Sequence, residues 1–226
     1  MPDRVVSSYT PTLTALTRAR EREDRHPSVR QLAVGMPDTP GHPPLPAVIP
    51  ELAAATRHFP PPETGRQLIG ADATREAVKT ALPGYPWLHL ACHGTQHPTD
   101  PSRSGFALHD GVLTVAELDD LHTPDADLAF LSACETATGS DQLPDEALHL
   151  AGALQMIGYR HVIATLWRIA DAPAPQVADA VYTRLTARGY PDSTHAAHAL
   201  HHAVAELRAQ HPDDPLIWAP YIHLGP

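Results

Sequence analysis

The sequence predicts a layered α/β fold, with a mostly parallel central sheet and helices on both faces. Short, nearly continuous apolar runs at 87–92, 127–133 and 161–167 read as strands covered on both sides. Stretches of helical periodicity alternate with them. Connections of that length between strands imply parallel pairing through right-handed crossovers.

Residues 1–30 are polar and crowd together Arg18, Glu21, Arg22, Glu23, Asp24 and Arg25. Only Leu13 and Leu16 suggest an amphipathic turn, so this end is expected to be a poorly anchored remnant, with the domain proper over 31–226. Residues 31–36 read as a strand and 49–58 as a helix, within a proline-dense stretch of loops at 37–62. Residues 72–82 form a helix with Ala77, Val78, Ala81 and Leu82 on one face and Asp72 or Thr74 as N-cap. The strand at 87–92 is interrupted only by His89 and ends at His93 and Gly94. At 105–114 two short runs flank Asp110 and Gly111, a hairpin signal in which both residues would supply positive φ. Thr114 and Glu117 then make a capping box for a short helix reaching about Leu121. The strand at 127–133 leaves Cys134 at its carboxyl end. Pro144 opens a helix that stops at Gly158; a strand at 161–167, helices at 176–188 and 194–210, and a strand at 217–224 complete the chain.

The 226 residues, 42% hydrophobic, suffice for one sizeable core. Sixteen Lys and Arg against 26 Asp and Glu give a formal charge of −10, which disfavours a phosphate-tracking surface, so no nucleic-acid partner is expected. No apolar run approaches the ~20 residues of a bilayer span and no charged-then-apolar leader is seen, so a cytoplasmic protein without a membrane partner is expected. Two cysteines, Cys92 and Cys134, are too few for a disulfide framework.

In open α/β sheets, sites form beyond the carboxyl ends of the strands. His93 and Cys134 both stand at such ends and are candidates to face each other. An imidazole beside a thiol stabilises the thiolate and can later protonate a leaving amine. Gly94 lets a backbone N–H approach an oxyanion, and the Cys134 N–H is the candidate second donor. Strand parity puts Trp87, His89, Ala91 and His93 on one face and Leu88, Leu90 and Cys92 on the other, which removes Cys92 as a competing nucleophile. A lone strand-end cysteine is more often a small buried hydrophobe; the surrounding motifs weigh against that here.

His89-Leu90-Ala91-Cys92-His93-Gly94, Leu131-Ser132-Ala133-Cys134-Glu135-Thr136 and Ala164-Thr165-Leu166-Trp167 occur in this order. In this the chain resembles a CHAT domain, the caspase-like cysteine peptidase module related to separases, from about Ser8 to Gly225. The resemblance implies a three-layer caspase-like sandwich, with His93 as general base or imidazolium partner, Cys134 as nucleophile and Gly94 in the oxyanion site. It implies an endopeptidase working through a thioacyl intermediate on a protein or peptide substrate, without metal or organic cofactor. The implied setting is regulated bacterial defence or cell-death signalling, under a sensor domain, helical-repeat domain or partner chain. Separases place an aspartate of the pocket for a basic P1 side chain after a Leu-Trp pair. Here Leu166-Trp167-Arg168-Ile169-Ala170-Asp171 makes Asp171 the S1 candidate, with helix N-cap as an equally weighted alternative. Glu135 is a candidate substrate contact or a partner of the loop backbone. Family members usually carry a further segment before the Ser-Tyr-Thr-Pro-Thr-Leu of 8–13, so a truncated copy or fragment is expected, and an inactive module serving as an interaction domain is the rival reading.

His195, His198, His201 and His202 read as surface histidines flanking an inward stripe of Ala197, Leu200, Val204 and Leu207. A zinc set of Cys92, His93 and Cys134 fails because Cys92 faces away. His89 reads as a core histidine paired to backbone.

Overall fold

The computed structural model describes residues 5–21, 29–59, 64–97, 99–121, 123–132, 134–135, 146–167 and 172–226. Among them are the strands β1 (Gln31–Gly35), β2 (Gly65–Ile69), β3 (Trp87–Ala91), β4 (His93–Thr95), β5 (Gly105–Leu108), β6 (Gly111–Thr114), β7 (Leu128–Leu131), β8 (Cys134–Glu135), β9 (His161–Thr165) and β10 (Tyr221–Leu224). The helices are α1 (Leu13–Glu21), α2 (Val48–Thr56), α3 (Arg75–Ala81), α4 (Val115–Asp119), α5 (Glu146–Ile157), α6 (Ala174–Leu185), α7 (Ala196–Gln210) and α8 (Pro215–Trp218).

Six strands form the central sheet in the order β10-β9-β7-β3-β1-β2. All pairs are parallel except β10 with β9. One face packs Leu88, Leu90, Cys92, Ala129, Leu131 and Val162 against α3, α4 and α5. The other packs Trp87, Leu128, Phe130 and Ile163 against α6 and α7, and Ala33 and Ala91 against α2. This is the three-layer sandwich that alternating strands and helices require, and the parity expected for β3 holds: Cys92 is fully buried on the α5 side.

A second sheet, in the order β6-β5-β4-β8, was not anticipated. The strand expected to end at Cys92 ends at Ala91, and after one residue the chain continues as β4 in this smaller sheet. The strand β2 was also missed; its middle residues Arg66 and Gln67 are exposed at the sheet edge, so it lacks an apolar run. The capping box of Thr114 and Glu117 is present, and the Thr114 backbone N–H holds the Glu117 carboxyl below its ordinary range.

Three expectations need correction. The hairpin turn is His109–Asp110, and only Gly111, at φ +135°, has a positive φ; among the described residues no non-glycine does. The closing strand is β10 alone, because Asp214 accepts from the Leu216 N–H and Pro215 opens the short helix α8 over Ile217 and Trp218. The inward stripe of α7 is Ala196, Ala199, Leu200, Ala203 and Leu207.

Residues 5–21 are held more closely than their polar sequence suggests. The Tyr9 N–H donates to the His223 carbonyl (2.8 Å) and the Gly225 N–H to the Tyr9 carbonyl (3.0 Å), so the segment pairs in parallel beside β10. Arg160 Nε donates to the Ala19 carbonyl of α1 (3.2 Å).

Candidate active site

The strands β3 and β7 run in register at an offset of 41 residues, Trp87 with Leu128 through Leu90 with Leu131. Both then step into the smaller sheet and pair again, His93 with Cys134 and Gly94 with Glu135, at the same offset. Neighbouring strands lie about 4.8 Å apart, so the two backbones are brought within side-chain reach of one another. His93, Gly94 and Cys134 thus meet at the carboxyl ends of two neighbouring parallel strands, Cys134 placed by its backbone only.

The His93 ring is 1% exposed. Its Nε2 lies 2.8 Å from the Pro43 carbonyl oxygen, which only accepts, so Nε2 carries a proton and donates it there. The His42 ring stacks on it, centroids 4.8 Å apart and planes within 20°. Both contacts come from the loop between β1 and α2, which is folded back by the Leu45 N–H on the Pro37 carbonyl (2.8 Å) and the His42 N–H on the Thr39 carbonyl (3.0 Å). Sequence reasoning missed this arm. A backbone carbonyl has no residue-type signature, and the available signal was a Gly41-His42-Pro43-Pro44 turn a few residues after a strand.

His89, expected to pair with backbone, pairs with side chains instead. Its Nε2 is 3.2 Å from Glu51 Oε1 and its Nδ1 is 3.2 Å from the Tyr182 hydroxyl, while its ring stacks on Phe130. Burial pushes the Tyr182 phenol well above its ordinary pKa, with the Gln31 side chain opposing the rise. Asp171 lies outside the described residues, and Glu135 is placed by its backbone only, in β8 beside Gly94. His195, His198 and His202 are exposed and His201 half-buried. Among the described residues no group of three or more His, Cys, Asp or Glu is arranged to hold a metal ion. Nor is any described helix long and apolar enough to cross a membrane.

The family model of the CHAT domain matches residues 3–226. This chain belongs to the CHAT domain family. Its fold is also that of solved cysteine proteinases. The Arg-specific cysteine proteinase gingipain R is similar at a TM-score of 0.60 and 11% identity, over 94% of this chain and 50% of that one. A complex of the Porphyromonas gingivalis RgpB pro- and mature domains is similar at a TM-score of 0.59 and 11% identity, over 94% and 52%. The CHAT domain therefore spans about half the length of these structures, and shares with them the caspase-like cysteine peptidase fold. None of the curated proteins matches its sequence.

Proposed function

We propose that this CHAT domain is a cysteine endopeptidase that cleaves a protein substrate through Cys134 and His93. The observation that carries the reading is the pairing of His93 with Cys134 on adjacent parallel strands, with His93 Nε2 committed to the Pro43 carbonyl. In the proposed cycle His93 Nδ1 takes the Cys134 Sγ proton, and the thiolate attacks the scissile carbonyl carbon. The backbone N–H groups of Gly94 and Cys134 stabilise the oxyanion. Nδ1 then protonates the departing amine as the C–N bond breaks, leaving a thioacyl enzyme. Water, deprotonated by the same nitrogen, releases the carboxylic acid and restores the thiol.

Asp171 is the proposed carboxylate for a basic P1 side chain, with Glu135 as a further substrate contact beside the nucleophile. The Arg specificity of gingipain R is of the same kind. No metal or organic cofactor enters this scheme. A sensor domain, helical-repeat domain or partner chain is the proposed source of control, in a cytoplasmic defence or cell-death setting.

A P1-diverse peptide library tests the reading. Cleavage after Arg or Lys is expected from the wild type, with loss in Cys134→Ala and loss of the basic preference in Asp171→Ala. Thiol-probe labelling of Cys134 that is indifferent to His93→Ala, together with no cleavage, would instead support an interaction module.

A further inference from the structure

The Glu51–His89 pair is sealed in the core, at 2% and 0% exposure, four residues before His93 on the same track of chain. Burying a carboxylate costs several kcal/mol before its partner offsets it, so apolar residues of the same volume would serve stability at least as well. The contact, 3.2 Å from His89 Nε2 to Glu51 Oε1, joins α2 directly to β3. The packing under α2 is already tight, since a side chain on Gly35 would overlap Val48 and Leu52 of α2. From Glu51 the path to the site is short and bonded: the Glu51 N–H donates to the Ala47 carbonyl (2.9 Å) and the Val48 N–H to the Leu45 carbonyl (3.2 Å). Two residues before Leu45 stands the Pro43 carbonyl that holds His93 Nε2. The other end of the pair, His89, lies on β3, which leads directly into β4 and His93.

We propose that Glu51, through His89, is a positioning residue for the dyad. The pair fixes α2, and with it the Pro43 carbonyl and the His42 ring, relative to the strand that carries His93, so that the ring keeps one orientation beside the strand of Cys134. The inference rests on the peptidase reading for its consequence, but its physical content is a coupling between Glu51 and the His93 ring that needs no substrate to be seen.

Two readouts on the full chain test it: the ring N–H resonance of 15N-labelled His93, and the rate of Cys134 alkylation by iodoacetamide followed by mass spectrometry. The bond to Pro43 should give wild-type His93 a slowly exchanging Nε2–H signal. In Glu51→Leu, with its unfolding temperature kept, that signal should broaden or vanish and alkylation should slow by about ten- to a hundred-fold, the scale of an ångström-sized misplacement. Glu51→Gln, which keeps the volume and an acceptor, should retain the signal and most of the rate. A folded Glu51→Leu with unchanged His93 signal and unchanged alkylation overturns the proposal, as does a wild type without the signal. Should Glu51→Leu not fold, Glu51→Asp decides, because it withdraws the carboxylate by one methylene and an unmoved His93 resonance would again overturn the coupling. Absence of peptide cleavage by the wild type would count against the peptidase reading alone.

Discussion

At the carboxyl end of the central sheet, His93 has one ring nitrogen tied to a loop carbonyl and the cysteine strand as its register partner. At the outer corner of the same sheet, both ring nitrogens of His223 are taken up by hydrogen bonds. Ser8 Oγ donates to the Gly225 carbonyl (2.8 Å), so it accepts from His223 Nδ1 (2.8 Å), and His223 Nε2 then accepts from His161 Nδ1 (3.0 Å). That chain of bonds ties Ser8 to β10 and β10 to β9. Burial, with the neighbouring His161 adding to it, pushes the His223 pKa down to about 3. The same side chain thus keeps one ring nitrogen outside its bond to a loop carbonyl at the first site, where we propose it carries a proton, and is a fixed strut at the second, where both nitrogens are taken up by hydrogen bonds. The partners, not the residue type, decide which.

The largest expected effect belongs to the first site. His93→Ala should lower peptide cleavage by about a thousand-fold or more in a chain that still folds, and a variant with near wild-type kcat/KM would remove His93 from the chemistry. Gly35→Ala should come next, at about 1–3 kcal/mol, because the added methyl must displace Leu52 or Val48. Denaturant melts should show that loss, with Cys134 alkylation slowed as well, since α2 carries the arm that holds His93.

Acidification addresses the corner. His223 ordinarily titrates near 6.5 and in the folded chain near 3, so below pH 6.5 the unfolded state binds the extra proton. Stability should therefore fall as pH drops from about 6.5 towards 3, by about 2 kcal/mol between pH 7 and pH 5 from this group. Denaturant melts of wild type and His223→Gln at both pH values check it; equal acid losses in the two would show that His223 is not the sensor. The smallest effect is expected from Ser8→Ala, about 1 kcal/mol, because water reaches that exposed position and replaces part of the lost bond. Its cleavage rate should match wild type, which would separate the corner from the crevice.

Much of this was legible in the chain. Apolar runs at 87–92 and 127–133 announce two buried neighbouring strands, and with them the meeting of His93 and Cys134 at the strand ends. The crossing into the second sheet was not legible. Nothing in Ala91-Cys92-His93 separates a strand that ends from one that changes partners, as hydrogen-bond partners are chosen by tertiary packing. The Pro43 carbonyl and the Glu51–His89 pair were hidden for a related reason: each joins residues about forty or fifty positions apart through groups whose periodicity says nothing about the match. Ile217 and Trp218 misled in the opposite sense, their apolar character suggesting strand while Asp214 and Pro215 fixed a helical turn.

The constant register across the two sheets has a consequence for how this domain tolerates change in length. Among the described residues, 99–104 and 123–126 lie outside both strand tracks, so residues added there would leave the pairing of His93 with Cys134 alone. A single residue inserted between 87 and 93 would turn His93 to the opposite side of its track and carry Gly94 out of step with Glu135. The spacing from Trp87 to His93 and from Leu128 to Cys134 is in effect a pair of matched rulers, and added length is tolerated between them and not along them.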